Sequence, residues 1–240
     1  MRENYFGKSV AERYDETSAA MFTPEVLDPA VDFLAELAGD GPVLELAIGT
    51  GRLALPLSRR GIAVHGIELS PAMAARLETG PLVSVTLGDF ATTTLGRAFR
   101  LAYLARNTIT NLTTQDEQVA CFRNVAAHLE PGGVFVVENY IPALRRIPPG
   151  ETTRVFTRTP DHLGFEEYDL AEQIAISHHY WVIDGELKTM SSPHRYLWPA
   201  ELDLMARIAG MTLRERWAGW RRTPFTGDSE SHVSVWRKSA

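Results

Sequence analysis

The stretch Val43-Leu44-Glu45-Leu46-Ala47-Ile48-Gly49-Thr50-Gly51 constrains this chain most, because an apolar run closing on two near-adjacent glycines reads as a strand feeding a ligand-binding loop. Leu53, Leu55 and Leu57 in the next segment supply the apolar side of a helix packing back on that strand. Glycine tolerates positive φ and carries no Cβ, so a ligand can lie against bare main chain at such a junction. The pattern points to a nucleoside ligand.

Acids around the loop narrow the choice of nucleoside. Gly49-Thr50-Gly51-Arg52-Leu53-Ala54 satisfies the dinucleotide fingerprint, and Glu68 closes the next apolar run where a ribose-binding acid belongs. An NAD(P)-binding oxidoreductase is therefore open on this segment alone. Glu45 argues against it, since a carboxylate inside the first strand would meet a pyrophosphate as a like charge. A ligand ending in a cationic amino acid has no such conflict.

Four segments, in order, carry a resemblance. Residues 45–51, then Gly66-Ile67-Glu68-Leu69-Ser70-Pro71-Ala72-Met73, then Gly88-Asp89-Phe90, then Leu129-Glu130-Pro131-Gly132-Gly133 resemble the motifs of class I S-adenosylmethionine (SAM) dependent methyltransferases. The likeness spans roughly residues 5–140. It implies SAM as cofactor, S-adenosylhomocysteine (SAH) as product, and a set of contacts. Glu45, Ala47, Gly49 and Gly51 take the methionine portion, Glu68 the ribose hydroxyls, Leu69 and Met73 the adenine faces, Asp89 the adenine amino group, and Phe90 an apolar wall beside it. The family usually has glycine where this chain has Ala47, which implies weaker cofactor affinity. Ala11-Glu12-Arg13-Tyr14-Asp15 is similar to the family's N-terminal lid signature, and implies that Tyr14 covers the methionine end, its ring close to the sulfonium. Residues 195–202, with Ala209-Gly210-Met211, resemble the C-terminal part of small-molecule methyltransferases that include amino-sugar N-methyltransferases. A non-catalytic SAM-binding protein is the remaining alternative.

Composition excludes several classes. The net charge of −6, with 30 acidic against 24 basic side chains and no long basic run, lacks the positive footprint of a nucleic-acid binder. No segment has the apolar length of a membrane span, and the N-terminus lacks a signal peptide's apolar core. The single cysteine, Cys121, fits a reducing compartment and falls on the apolar side of a predicted helix, so we expect a buried, inert thiol in a cytoplasmic monomer or homodimer. No metal-binding pattern is present, and Gly7-Lys8-Ser9 lacks the glycine five residues earlier that a P-loop needs.

The order of elements predicts an α/β fold: a Rossmann-like, doubly wound, mostly parallel seven-stranded sheet with helices on both faces, plus an antiparallel β cap over the substrate site. Helices are expected at 5–18, 24–38, 52–60, 71–78 and 115–129, and strands at 43–47, 62–67, 82–87, 100–104 and 133–138. The glycine loop, Glu68, Asp89 and the Arg106-Asn107-Thr108 turn all follow strand ends, where ligands of such sheets bind, which makes Arg106 a further cofactor contact. After 140 the texture changes to β-branched and aromatic runs at 152–157, 165–170, 174–183 and 186–196, with Asp184-Gly185 as a hairpin turn. We divide the chain into N-terminal lid helices (1–40), a SAM-binding core (41–140), the cap (141–198), and a helix with strands completing the core sheet (199–240).

Methyl transfer from a sulfonium mainly needs the nucleophile placed close to the methyl carbon and water excluded. A base is required only when the acceptor arrives protonated. His178 and His179 are the candidates; they alternate on a cap strand, so at most one points at the cavity. Tyr168 is the next candidate, with Glu166, Glu167 and Tyr140 behind it.

Overall fold

The computed structural model describes residues 7–8, 11–12, 14 and 18–239. The predicted helix over 5–18 therefore lies largely outside the described residues, as do Arg13 and Asp15 of the lid signature; Lys8, Ala11, Glu12 and Tyr14 within it are helical. The elements that follow are α1 (Pro24–Ala38), β1 (Val43–Leu46), α2 (Ala54–Arg59), β2 (Val64–Glu68), α3 (Pro71–Ala74), β3 (Val83–Leu87), β4 (Phe99–Leu104), α4 (Gln115–His128) and β5 (Leu129–Tyr140). Then come β6 (Thr153–Arg158), β7 (His162–Asp169), β8 (Ile174–Ile183), β9 (Glu186–Arg195), α5 (Pro199–Ile208), β10 (Met211–Trp217) and β11 (Ser231–Lys238).

Seven strands form one sheet in the order β10-β11-β5-β4-β1-β2-β3. The pairs among β1 to β5 are parallel, and β11 runs antiparallel to both β5 and β10. This is the expected mostly parallel, doubly wound sheet. From β1 the chain winds toward β3, and from β4 it winds the other way toward β5. The carboxyl ends of the adjacent β1 and β4 thus open a crevice at the point where the winding reverses.

Alternation along the central strands splits the core in two. Leu44, Leu46, Ala102, Leu104, Phe135 and Val137 face α4 and α5, while Val43, Leu101, Tyr103, Val134 and Val136 face α1 and α2. Phe122, Phe135 and Trp236 meet edge to face on the first side, with Cys121 buried beside them. Helix α4 starts in a capping box, Thr114 accepting from the Glu117 amide and the Glu117 carboxylate from the Thr114 amide. Helix α3 is shorter than the expected 71–78. After Ala74 the amides of Arg76 and Leu77 bond three residues back, tightening the last turn into the Gly80-Pro81 bend.

Strands β6 to β9 form a second, antiparallel sheet. Its β8–β9 hairpin turns on Asp184 and Gly185, with φ of 53° and 77°, the left-handed pair that a two-residue turn of this type requires. Arg195, at the end of β9, ties this sheet to the core. Its guanidinium donates to Gln118 of α4 at 2.6 Å and to Glu201 of α5 at 2.7 Å. Among the described residues no helix is long and apolar enough to cross a membrane.

Candidate active site

The loop after β1 turns through left-handed conformations at Ala47, Gly49 and Gly51, with φ of 54°, 59° and 89°. A Cβ on Gly51 would lie 2.4 Å from a Leu77 methyl, and one on Gly66 of β2 would lie 2.4 Å from Ile48. Bare backbone at both positions lets the loop sit down on β2. Ala47 is the exception, since it holds a backbone conformation that glycine takes at less cost.

Glu68, at the end of β2, is buried and binds the loop directly. Its Oε2 accepts from the Gly49 amide and its Oε1 from the Ser70 amide, each at 2.8 Å. Burial pushes its pKa up, and the backbone donors pull against that. The carboxylate keeps accepting capacity for a further donor. Met73 is buried against the loop and Leu69 is half-buried next to Glu68. Asp89 follows β3, with Oδ1 accepting from the Ala91 amide at 2.9 Å. Phe90 is buried in the core cluster with Leu46 and Ile67, so most of its ring serves packing.

Glu45 stands on β1 opposite Tyr103 of β4. Burial drives its pKa up to about 8, with the neighbouring Tyr103 hydroxyl and the Arg52 charge acting the other way. Among the described residues its Oε2 and the Tyr103 hydroxyl are buried without hydrogen-bond partners. An unsatisfied carboxyl beside the glycine loop suits a ligand that brings a cationic donor. The ammonium of an amino-acid tail is such a donor, so these residues fit SAM.

At the end of β4, Arg106 and Asn107 are successive left-handed residues, with φ of 55° and 60°. Glu138 of β5 holds them there, its Oε2 accepting from the Arg106 amide at 2.8 Å and its main-chain carbonyl from the Asn107 amide at 3.2 Å. Glu138 Oε1 accepts from the Trp220 indole at 2.7 Å. Sequence reasoning missed Glu138, and a partner 32 residues away leaves no local signal of it. The Arg106 guanidinium reaches the Tyr14 hydroxyl at 3.5 Å.

Between these strand ends and the second sheet lies a cavity of about 750 Å³. Tyr14, Arg106 and Tyr140 line it from the core side, and Arg154, Glu166, Tyr168, Ser177 and His194 from β6 to β9. A family model described as a methyltransferase domain matches residues 43–133. The structure of the CcbJ methyltransferase from Streptomyces caelestis is 37% identical, covers 100% of both chains, and superposes with a TM-score of 0.88. The chain belongs to the class I SAM-dependent methyltransferases.

The methyltransferase is also 26% identical to a cypemycin N-terminal methyltransferase from Streptomyces sp, over 92% of this chain and 96% of that protein. It shares its fold with SAM-bound CalS10, an amino pentose methyltransferase from Micromonospora echinaspora, at 20% identity, full coverage of both chains and a TM-score of 0.71. Membership of the SAM-dependent family makes SAM its cofactor, and the oxidoreductase and non-catalytic alternatives fall.

Of the expected acid–base residues, Tyr168, Glu166 and Tyr140 line the cavity of the methyltransferase, and His178, His179 and Glu167 do not. Burial and the adjacent Glu166 carboxylate push the Tyr168 hydroxyl far above the ordinary phenol range, so it stays protonated and donates to Glu166 Oε2 at 2.5 Å. His178 points to the outer face, stacked on Phe165 and bonded to Ser191 at 2.8 Å. His179 shares the inner face with Ser177 but lies beyond the cavity lining, stacked between His162 and Trp181 and lowered in pKa by burial and by its neighbouring histidines. The histidine that does line the cavity is His194, which sequence reasoning passed over. Asn111 and Ser192 engage both its ring nitrogens, and burial lowers its pKa. Among the described residues no cluster of three or more His, Cys, Asp or Glu side chains is placed to hold a metal ion.

Proposed function

We propose that this methyltransferase alkylates an amine nitrogen of a small-molecule acceptor held in the cavity between its two sheets. The observation that carries the reading is the cavity itself, about 750 Å³ and walled by the core strand ends on one side and by the antiparallel sheet on the other. An amine is favoured by the relatives' names: cypemycin N-terminal methyltransferase, and an N,N-dimethyltransferase of an amino-deoxyglucose from Saccharopolyspora spinosa that is 34% identical over 97 residues.

When bound, SAM supplies an electrophilic methyl carbon for in-line displacement. Glu45, Ala47, Gly49 and Gly51 hold its methionine portion, with the Glu45 carboxylate against the ammonium. Glu68 accepts the ribose hydroxyls on its remaining lone pairs, Leu69, Met73 and the exposed edge of Phe90 flank the adenine, and Asp89 accepts from the adenine amino group. Tyr14 and Arg106 close over the methionine end. In this reading residues 1–40 act as lid, 41–140 as cofactor core, 141–198 as substrate cap, and 199–240 complete the core sheet. The cap shields the reacting atoms from water, and Tyr168 keeps its proton and orients the carboxylate beside it. His178 and His179 stabilise the cap. A cytoplasmic setting accords with the lone, buried Cys121.

The test is SAH formation with SAM and matched amine, alcohol and thiol acceptors, with the mass of each product measured. Turnover confined to amines supports the reading; turnover of alcohols or thiols alone overturns it.

A further inference from the structure

Among the charged groups of the cavity, Glu166 is a carboxylate that makes no ion pair among the described residues. It stands half-buried on β7, between Arg154 of β6 and Ser177 of β8 in the sheet register. Its Oε2 accepts the Tyr168 hydroxyl. Among the described residues its Oε1 has no hydrogen-bond partner, and Arg154, though in register, makes no ion pair with it. Of the other charges at the cavity, Arg146 pairs with Glu230, Arg145 donates to the Gly227 carbonyl, Arg106 reaches Tyr14, the Arg154 charge acts on Tyr168, and Asp228 lies between β10 and β11. His194 has both nitrogens occupied, which removes it as a free base. The Tyr140 hydroxyl also feels the Glu166 charge, and burial keeps it protonated.

We infer that Glu166 is the catalytic residue that binds the acceptor, taking an N–H of a primary or secondary amine on its free Oε1. The inference rests on the amine reading above. A neutral amine that donates one N–H to Oε1 has its lone pair fixed in direction, away from the carboxylate. As nitrogen bonds to the methyl carbon, the carbon–sulfur bond breaks and its electron pair stays on sulfur. Nitrogen then becomes positive, and the fixed carboxylate stabilises that charge where it develops. The product leaves as an ammonium ion with its hydrogens intact and gives up a proton to bulk water. An acceptor with no N–H has nothing to donate, so methylation stops at the tertiary amine.

The experiment uses the full-length protein, SAM, and four probes: methyl 3-amino-3-deoxy-glucopyranoside, its N-methyl and N,N-dimethyl derivatives, and methyl glucopyranoside. Glu166→Gln keeps an acceptor for the Tyr168 hydroxyl but removes the charge. We expect its kcat/KM on the first two probes to fall about 30-fold or more, with SAH affinity and Tm unchanged, while Tyr168→Phe loses only several-fold. The wild type yields no trimethylammonium product. Unaltered kcat/KM in Glu166→Gln, or loss of SAH binding along with activity, overturns the assignment. A wild type inactive on both N–H amines overturns the amine reading before any variant is compared.

Discussion

The Gly49 amide donates to Glu68 Oε2 at 2.8 Å, tying the loop after β1 to the end of β2 across 19 residues of sequence. The tie fixes a carboxylate beside bare backbone before any cofactor arrives, so little ordering remains to be done on binding.

Glu68→Ala removes both that tie and the proposed acceptor of the ribose hydroxyls. Charge-assisted hydrogen bonds contribute about 1.5–3 kcal/mol, so SAH affinity measured by titration calorimetry should fall roughly ten- to a hundred-fold. Unchanged affinity would refute the ribose role.

Glu45 gives the apoenzyme a pH dependence whose sign follows from its pKa of about 8. A carboxyl raised above its unfolded value contributes stability that is complete below the ordinary carboxylate pKa and is lost as pH rises through 8. Between pH 5 and pH 8.5, Tm of the wild type should therefore drop more steeply than Tm of Glu45→Gln. An ammonium placed against Glu45 restores the ionised form, so SAH binding near pH 7 should release protons, seen as a binding enthalpy that varies with the buffer's ionisation enthalpy. Parallel Tm profiles and no proton release would remove Glu45 from the site.

Ala47 holds φ at 54°. A non-glycine residue there costs about 1–2 kcal/mol, partly offset by the roughly 0.5–1 kcal/mol of extra chain entropy a glycine loses on folding. Ala47→Gly should raise stability by up to about 1 kcal/mol and tighten SAH binding as the Cβ leaves the loop. Chemical denaturation and calorimetry read the two effects separately, and a destabilised variant with unaltered affinity contradicts the argument.

Arg195 is buried, with Gln118, Gln173 and Glu201 as its side-chain partners. Arg195→Met leaves Glu201 facing an apolar stem, and breaking one half of such a pair costs on the order of 3 kcal/mol. The variant should unfold at lower urea and expose β9 to proteolysis. Adding Glu201→Gln should restore part of the loss; strictly additive losses would show that the two side chains do not act as a pair.

The proposed cofactor half of the site could be read from the sequence because its parts sit at fixed offsets from strand ends. Glu45, Gly49 and Gly51 belong to one strand–loop junction, and Glu68 and Asp89 each follow the next strand. The cap strands and their Asp184-Gly185 turn were legible for the same local reason. The acceptor side was not. His178 and His179 look reactive in sequence, yet the register of β8 against β7 and β9 turns one outward and carries the other past the cavity. His194 reaches the cavity because β9 closes the sheet against Asn111, 83 residues away.

The sequence by itself determined the doubly wound core, the glycine loop and the acids that follow its strands, since alternation, turn chemistry and motif spacing are properties of neighbours along the chain. Tertiary structure alone decided that Glu138 locks the turn at Arg106, that Glu166 faces the cavity, and that Glu45 is buried in the core opposite Tyr103. Those outcomes depend on which strands pair and in what register, and a one-residue slip would send each of these side chains to the opposite face.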